Sequence, residues 1–258
     1  MTKPRNYQTE AIIIKKTKLG EADRILTLYT PNLGKIQAVA KGVRRPRSKL
    51  SGHLELLTYS LVSLARGRNL DTVTGSQTIN SFLSLKSELE LTSYALYITE
   101  LINQFTADHV EDSLLFSLLL ETMEQLCLGG NNELVLRYFE LHLFEQTGYR
   151  PRLQQCVLCR RPLKPTTNYF CPSAGGMLCP ICSKDQPFSY PLSVNGLKVL
   201  RLIQDNDYNT VKKLETNQEL SVELEITTRN YIKYLLEREI KSSAWLDSLK
   251  YQRQRALL

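Results

Sequence analysis

The chain has 258 residues, 42% of them hydrophobic, and carries 33 Lys and Arg against 26 Asp and Glu for a formal net charge of +7. That length exceeds an ordinary single domain and predicts two units with enough apolar residues for real cores. No window approaches the roughly 18 consecutive apolar residues of a membrane-spanning helix, and the start MTKPRNYQTE lacks the apolar stretch of a signal peptide, so a soluble cytoplasmic protein is expected.

Charge is segregated along the chain. Residues 1–80 hold 14 Lys and Arg against 5 Asp and Glu, residues 81–150 hold 3 against 11, and residues 151–258 hold 16 against 10. A basic first segment followed by an acidic one predicts that the first part meets a polyanion and the second does not. Ordinary solubility would not produce that division.

The first eighty residues read as strands separated by turns. Thr9 to Lys16 is rich in apolar and β-branched residues, Arg24 to Tyr29 alternates, Pro31-Asn32-Leu33-Gly34 is a turn, and Lys35 to Ala40 resumes the strand pattern. Leu54 to Ala65 and Leu70 to Ile79 follow, separated by the turn Arg66-Gly67-Arg68-Asn69. Five short strands in this length predict a small closed barrel, either the OB-fold that binds oligonucleotides or an SH3-like barrel. Between the third and fourth strands lies KGVRRPRSK, with Lys41, Arg44, Arg45, Arg47 and Lys49, and no acidic residue occurs from Leu26 to Leu54. Together with Lys35, and with Arg66 and Arg68 in the next hairpin turn, this loop is a candidate phosphate-binding surface, because guanidinium groups chelate phosphate and stack on bases. Only Tyr7, Tyr29 and Tyr59 supply rings before Phe82. Backbone electrostatics therefore outweigh base stacking in this expectation.

From Phe82 the apolar period lengthens to that of helices. Tyr94, Ile98, Leu101 and Phe105 form one stripe, Asp112-Ser113 can cap a second helix ending at Gly129-Gly130, and Asn132 can cap a third, with Leu134, Tyr138, Leu141 and Phe144 on one face. His142, near that face, reads as a satisfied boundary histidine. Later helices are expected around Leu197, Leu200 and Ile203, from Val211 to Leu214, and as one long segment from about Ser221 to Leu246, with a tail from Tyr251 that frays.

Within this helical half sit two CxxC pairs, Cys156 with Cys159 and Cys179 with Cys182, separated by nineteen residues. Each pair can form a tight knuckle that presents two thiolates to a tetrahedral ion, so the spacing predicts one structural zinc per chain. The surrounding segment is rich in Pro and Gly and poor in apolar residues, which makes it dependent on the metal for its fold. Four thiolates leave no open coordination position. Cys171 is expected outside the metal's ligands, and Cys127 is expected as a small buried hydrophobe in a helix. No phosphate loop, dinucleotide fingerprint or nucleophile motif occurs. The chain reads as a binding protein and not as an enzyme.

The resulting fold class is α+β, with a five-stranded barrel over residues 1–80 and a helical domain over 81–258 that carries a zinc insert at about 150–190. That order of parts resembles the RecO family of bacterial recombination and repair mediators. The resemblance is carried by EAIIIKKTKLGEADRILTLYT, GKIQAVAKGVRRPRSKL with the following GHLE, YFELHLFEQTGYRP, CVLC, GGMLCPIC and REIKSSAWL. It implies an OB-fold that binds single- and double-stranded DNA, annealing of complementary strands without nucleotide hydrolysis, and loading of RecA, with RecR, onto DNA coated by the single-strand-binding protein. It also implies DNA contacts at Lys35, Lys41, Arg44, Arg45, Arg47 and Lys49, a bacterial cytoplasmic, nucleoid-associated location, and no membrane partner. Two other classes stay open: a zinc-containing RNA-binding factor, and an adaptor whose basic loop binds an acidic protein.

Overall fold

The computed structural model describes the backbone of residues 4–256 and the side chains of residues 4–249. The chain divides into two compact units, residues 1–127 with 241–258, and residues 128–240.

Unit one is built on strands β1 (Asn6–Leu19), β2 (Asp23–Thr30), β3 (Gly34–Ala40), β4 (Tyr59–Ala65) and β5 (Asp71–Asn80). They close into a barrel in the order β1-β2-β3-β5-β4, antiparallel except for the β3–β5 pair. This is the five-stranded barrel expected from sequence, with the connectivity of an OB-fold. Alternation fixes the register: Ser60, Val62 and Leu64 of β4 point inward while their neighbours are half exposed. Leu26, Leu28, Ile36, Ala38 and Val73 complete the interior with Ala11 and Ile13. Each Val, Leu or Ile side chain buried there contributes about 1.5–3 kcal/mol.

The fourth strand begins later than its apolar residues suggest. Gly52–Leu54 is a turn of 3₁₀ helix, and Leu57 adopts a left-handed backbone with φ of 61°. The chain then rejoins the sheet at the β1 irregularity, where Ile13 N donates to Thr58 O and Leu57 N donates to Ile13 O.

Helices α1 (Leu83–Ser87), α2 (Leu89–Phe105) and α3 (Ser113–Leu128) follow β5. Asp112 caps α3 by accepting a hydrogen bond from Leu115 N at 2.9 Å. The α2–α3 connection lies against the β2–β3 turn so closely that a Cβ on Gly34, at φ +62°, would meet Val110 O at 2.0 Å. Phe116 of α3 packs on the rings of Tyr29 and Tyr59. The acidic helices thus cover the end of the barrel that holds the β2–β3 turn, and among the described residues the opposite rim carries loops and no α-helix. The last helix, α8 (Lys241–Ala256), packs on α2, and the Glu100 carboxylate accepts hydrogen bonds from the N–H groups of Lys241 and Ser242 at its start. The tail that was expected to fray from Tyr251 continues this helix to Ala256, and its last two residues lie outside the described ones.

Unit two contains α4 (Asn132–Gln146), α5 (Val194–Asp205), α6 (Tyr208–Val211) and α7 (Gln218–Leu236), with the cysteine segment between α4 and α5. Asn131, one residue before the expected cap, accepts from Leu134 N. The predicted long helix from about Ser221 to Leu246 is two helices, because Glu237 takes a left-handed conformation at φ 53° and ends α7. Likewise the short helix expected at Val211–Leu214 starts three residues earlier, where Asp207 caps Thr210 N. His142 meets the boundary role expected of it: Nε2 lies 3.1 Å from Ile203 O and its ring packs on Tyr138.

Candidate nucleic-acid interface and metal centre

The strand register gathers three connections along the open rim of the barrel. Arg24 pairs with Ala40, Ala38 with Asp71, and Thr72 with Ala65. The β1–β2 turn, the start of the β3–β4 connection and the β4–β5 turn therefore lie side by side. Lys41, Arg44, Arg45, Arg47 and Lys49 all sit on the β3–β4 connection with exposed side chains, and Arg66 and Arg68 are exposed on the β4–β5 turn.

The basic connection is a chain of turns with fixed ends. Gly42 N donates to Asp23 Oδ1 at 2.7 Å, Arg44 N to Ala22 O at 3.0 Å, and Ser48 N to Arg45 O at 3.0 Å. Val43 is 6% exposed and packs in the barrel interior with Leu50 and Leu54, which turns the flanking arginines outward. At the adjoining turn the Arg66 guanidinium lies 4.7 Å from the centre of the Tyr7 ring, a cation–π contact that presets it. Tyr7 in turn donates its hydroxyl to Asp71, whose other oxygen accepts from Gly67 N. Burial, then the bond to Asp71, pushes the Tyr7 phenol well above its ordinary value.

Lys35 is placed elsewhere. It is 8% exposed, and its ammonium donates to the carbonyls of Asn103 at 2.8 Å and Thr106 at 2.6 Å, with Asp108 at 3.4 Å. The start of β3 belongs to the covered end of the barrel, so this cation holds the end of α2 and does not join the rim. Sequence alone put Lys35 with the rim because it lies in the same acid-free stretch. Two further cations do reach the rim: Lys18 pairs across the β1–β2 hairpin with Arg24. Nearby Glu21 and Asp23 hid them in a charge count, although Asp23 is engaged by Gly42 N.

In unit two the four paired cysteines come together, with their Sγ atoms all within 4.8 Å of one another and Cys159 Sγ 3.9 Å from Cys179 Sγ. A tetrahedral ion with metal–sulfur bonds of about 2.3 Å would set its sulfurs about 3.8 Å apart, so the residues fit such an ion. The knuckles are made by backbone bonds. Arg160 N donates to Cys156 O and Cys156 N to Arg161 O, while Ser183 N donates to Cys179 O. A three-stranded sheet supports them, in the order β7 (Gly176–Leu178), β6 (Asn168–Cys171), β8 (Tyr190–Leu192). These strands of three or four residues were too short to read from sequence. Gly176 is required there, since a Cβ would come within 2.4 Å of Arg152 O.

The thiols pull one another apart. Burial pushes Cys156 up, but N–H groups of Cys159, Cys179 and Leu158 outweigh it and bring the thiol down to about 6. Its neighbour Cys182 is pushed up to about 12, first by the bond with Cys179 and then by burial. Sulfurs this close cannot all be anionic unless a cation sits among them. Cys171 is buried outside the cluster with Ser173 Oγ 3.3 Å from its sulfur, and Cys127 is half-buried on α3. The insert is fastened to the helices by Arg201, which donates to Leu153 O, by Gln204, which donates to Pro151 O, and by Tyr231, whose ring packs on Phe144 and Phe170.

A barrel of OB connectivity with a cationic rim, joined in sequence to a helical unit whose four clustered cysteines could hold a metal ion, defines the architecture of the chain. Residues 1–82 match the family model described as Recombination protein O N terminal, and residues 86–244 match Recombination protein O C terminal. The chain is 52% identical to the DNA repair protein RecO of Dehalococcoides mccartyi over 96% of its own length and 98% of the relative's. It is 39% identical to the DNA repair protein RecO of a Roseiflexus species over 95% and 87% of the two chains. The chain belongs to the RecO family. Among the described residues no helix is long and apolar enough to cross a membrane.

Proposed function

We propose that the protein is a DNA-binding recombination mediator, which holds single- and double-stranded DNA on the open rim of its barrel and anneals complementary strands. The observation that carries this reading is the rim itself, where Lys41, Arg44, Arg45, Arg47 and Lys49 project from a connection whose backbone is fixed at both ends. Two phosphate chains repel, and a cationic surface that holds both lowers the cost of bringing them together while leaving base edges free to pair. Lys18, Arg24, Arg66 and Arg68 extend that surface, and Lys35 is left out of it.

Family membership supports the rest of the assignment: action with RecR on DNA coated by the single-strand-binding protein, an indirect effect on RecA loading, and no nucleotide hydrolysis. A bacterial cytoplasmic location near the nucleoid follows from such a substrate. Zinc is the ion that the tetrathiolate set favours, held by Cys156, Cys159, Cys179 and Cys182, where it supplies a structural crosslink between the two knuckles. The domain division at 80/81 that the strand-to-helix change predicts would separate the DNA-binding barrel from the remainder as functional parts.

Gel-shift and annealing assays on purified protein test the reading. Matched DNA strands should anneal faster with protein than without, in the absence of ATP, and added salt should suppress the effect. Preference for matched RNA would move the protein to the RNA-binding class, and no oligonucleotide binding at low salt would make it an adaptor.

A further inference from the structure

We infer that the metal-knuckle end of unit two is a second binding site for single-stranded nucleic acid, separate from the barrel rim. The inference rests on the reading of the chain as a nucleic-acid-binding protein. From Gln146 to Lys184 the sequence contains no Asp or Glu and six Lys and Arg. Arg150 is engaged by Glu145 and Asp205, and Arg152 precedes the first knuckle. Arg160, Arg161, Lys164 and Lys184 are exposed, and none belongs to an ion pair among the described residues.

Three of these four are fixed next to the cysteines by the bonds that close the knuckles. Arg160 N and Arg161 O bond to the two ends of Cys156, and Lys184 N donates to Ile181 O at 3.4 Å. Each knuckle also carries an aliphatic residue just before its second cysteine, and both face solvent: Leu158 is 52% exposed and Ile181 73%. Leu158 stands two residues before Arg160 and Ile181 three before Lys184, so each knuckle carries an exposed apolar group and an exposed cation within one turn of chain.

Neutralisation of the metal centre alone does not account for the charge. Four thiolates around a divalent ion leave a net charge of about −2, which roughly two cations would balance. The four exposed, unpaired cations on the knuckles and the strand approach beside them exceed that number by about two. Exposed cations and exposed apolar groups on the same two knuckles match a chain of phosphates whose unstacked bases offer apolar faces. A duplex, with its bases already stacked, would leave Leu158 and Ile181 in water.

The experiment combines Arg160→Ala, Arg161→Ala, Lys164→Ala and Lys184→Ala in the full chain and measures binding to a long oligothymidylate across salt concentrations. Each lost phosphate contact on a single strand lowers the log–log salt slope by about 0.7, so the slope should fall by roughly 2 to 3 with bound metal retained. A variant that keeps its metal and the parent's slope overturns the inference. Should the variant lose its metal, the unaltered protein decides: an oligonucleotide bearing bromodeoxyuridine should photocrosslink to peptides containing Leu158–Lys164 or Ile181–Lys184, and crosslinks confined to barrel peptides overturn the site. A parent that binds no oligothymidylate refutes the proposed function as well. If the parent binds and only the Arg44, Arg45 and Arg47 variant lowers the slope, this site alone is refuted. Poly-aspartate binding that the quadruple variant loses, with oligothymidylate binding unchanged, assigns the surface to an acidic protein and overturns the inference.

Discussion

The β3–β4 connection of unit one and the cysteine knuckles of unit two both present exposed arginines, but different forces hold them. The first hangs from a barrel whose interior is lined by a dozen buried residues, and Val43 and Leu54 of the connection are themselves part of that interior. The second surrounds a cluster of only three buried residues, two of them cysteines. Apolar burial can fix the first surface without a ligand, whereas the second has little buried area and, with zinc bound as proposed, would depend on the metal. One surface should therefore survive chelation and the other should not.

Breaking the knuckles is the largest perturbation expected. Structural zinc contributes about 10–16 kcal/mol to the folding of isolated zinc peptides, so Cys159→Ser or removal of the metal should exceed any other single change in its effect on stability. Limited proteolysis should open residues 150–190 while the barrel stays protected. Cys171→Ser, whose sulfur lies outside the cluster, should leave metal content unchanged. Protein purified without chelator that contains no metal would break the comparison at its base.

Next in size is the rim. Changing Arg44, Arg45 and Arg47 together to Ala should lower the salt slope of DNA binding by roughly 2 to 3, at about 0.7–0.9 per phosphate contact. The melting temperature should barely move, because all three side chains are exposed. All sequences should be weakened equally, since phosphate contacts carry no base information. A large drop in melting temperature would show that these arginines support the barrel.

Lys35→Met should do the reverse. Its ammonium satisfies two carbonyls at the end of α2, and leaving them unsatisfied costs about 1–3 kcal/mol. Thermal unfolding should register that loss while the salt slope stays at the parent's value. A fall in slope would return Lys35 to the DNA surface.

That residue also shows where sequence reading stops. Apolar and β-branched runs bounded by turn residues made β2, β3 and β5 legible to within a residue or two. The paired cysteines announced their cluster through spacing alone. What sequence could not show depends on pairing between distant segments: Lys35 faces the covered end of the barrel because β3 starts there and runs toward the rim, and Lys18 reaches the rim only through its register with Arg24. Nor could helical periodicity see the break at Glu237, since no Gly or Pro marks it. The acid-free run from Gln146 to Lys184 is visible in the chain, but sequence does not show that four of its cations stay exposed and outside the ion pairs of the described residues.

The smallest expected effect separates position from charge at the β4–β5 turn. Arg66→Ala removes one exposed cation and should lower the salt slope by about 0.7. Tyr7→Phe keeps the ring beneath Arg66 but deletes the hydroxyl that donates to Asp71, so the slope should hold while stability falls by about 1 kcal/mol at most. That loss carries a pH signature. The folded phenol is held above its ordinary value of 10.0, so the protonated hydroxyl favours the folded state below pH 10. Its contribution fades as pH rises from there through the higher folded value. The melting-temperature gap between the parent and Tyr7→Phe should be constant from neutral pH to about 10 and narrow above it, with other tyrosines cancelling in the difference. A gap that widens with pH would mean that the folded phenol is not held above its ordinary value, so that neither burial nor the bond to Asp71 favours its protonated form.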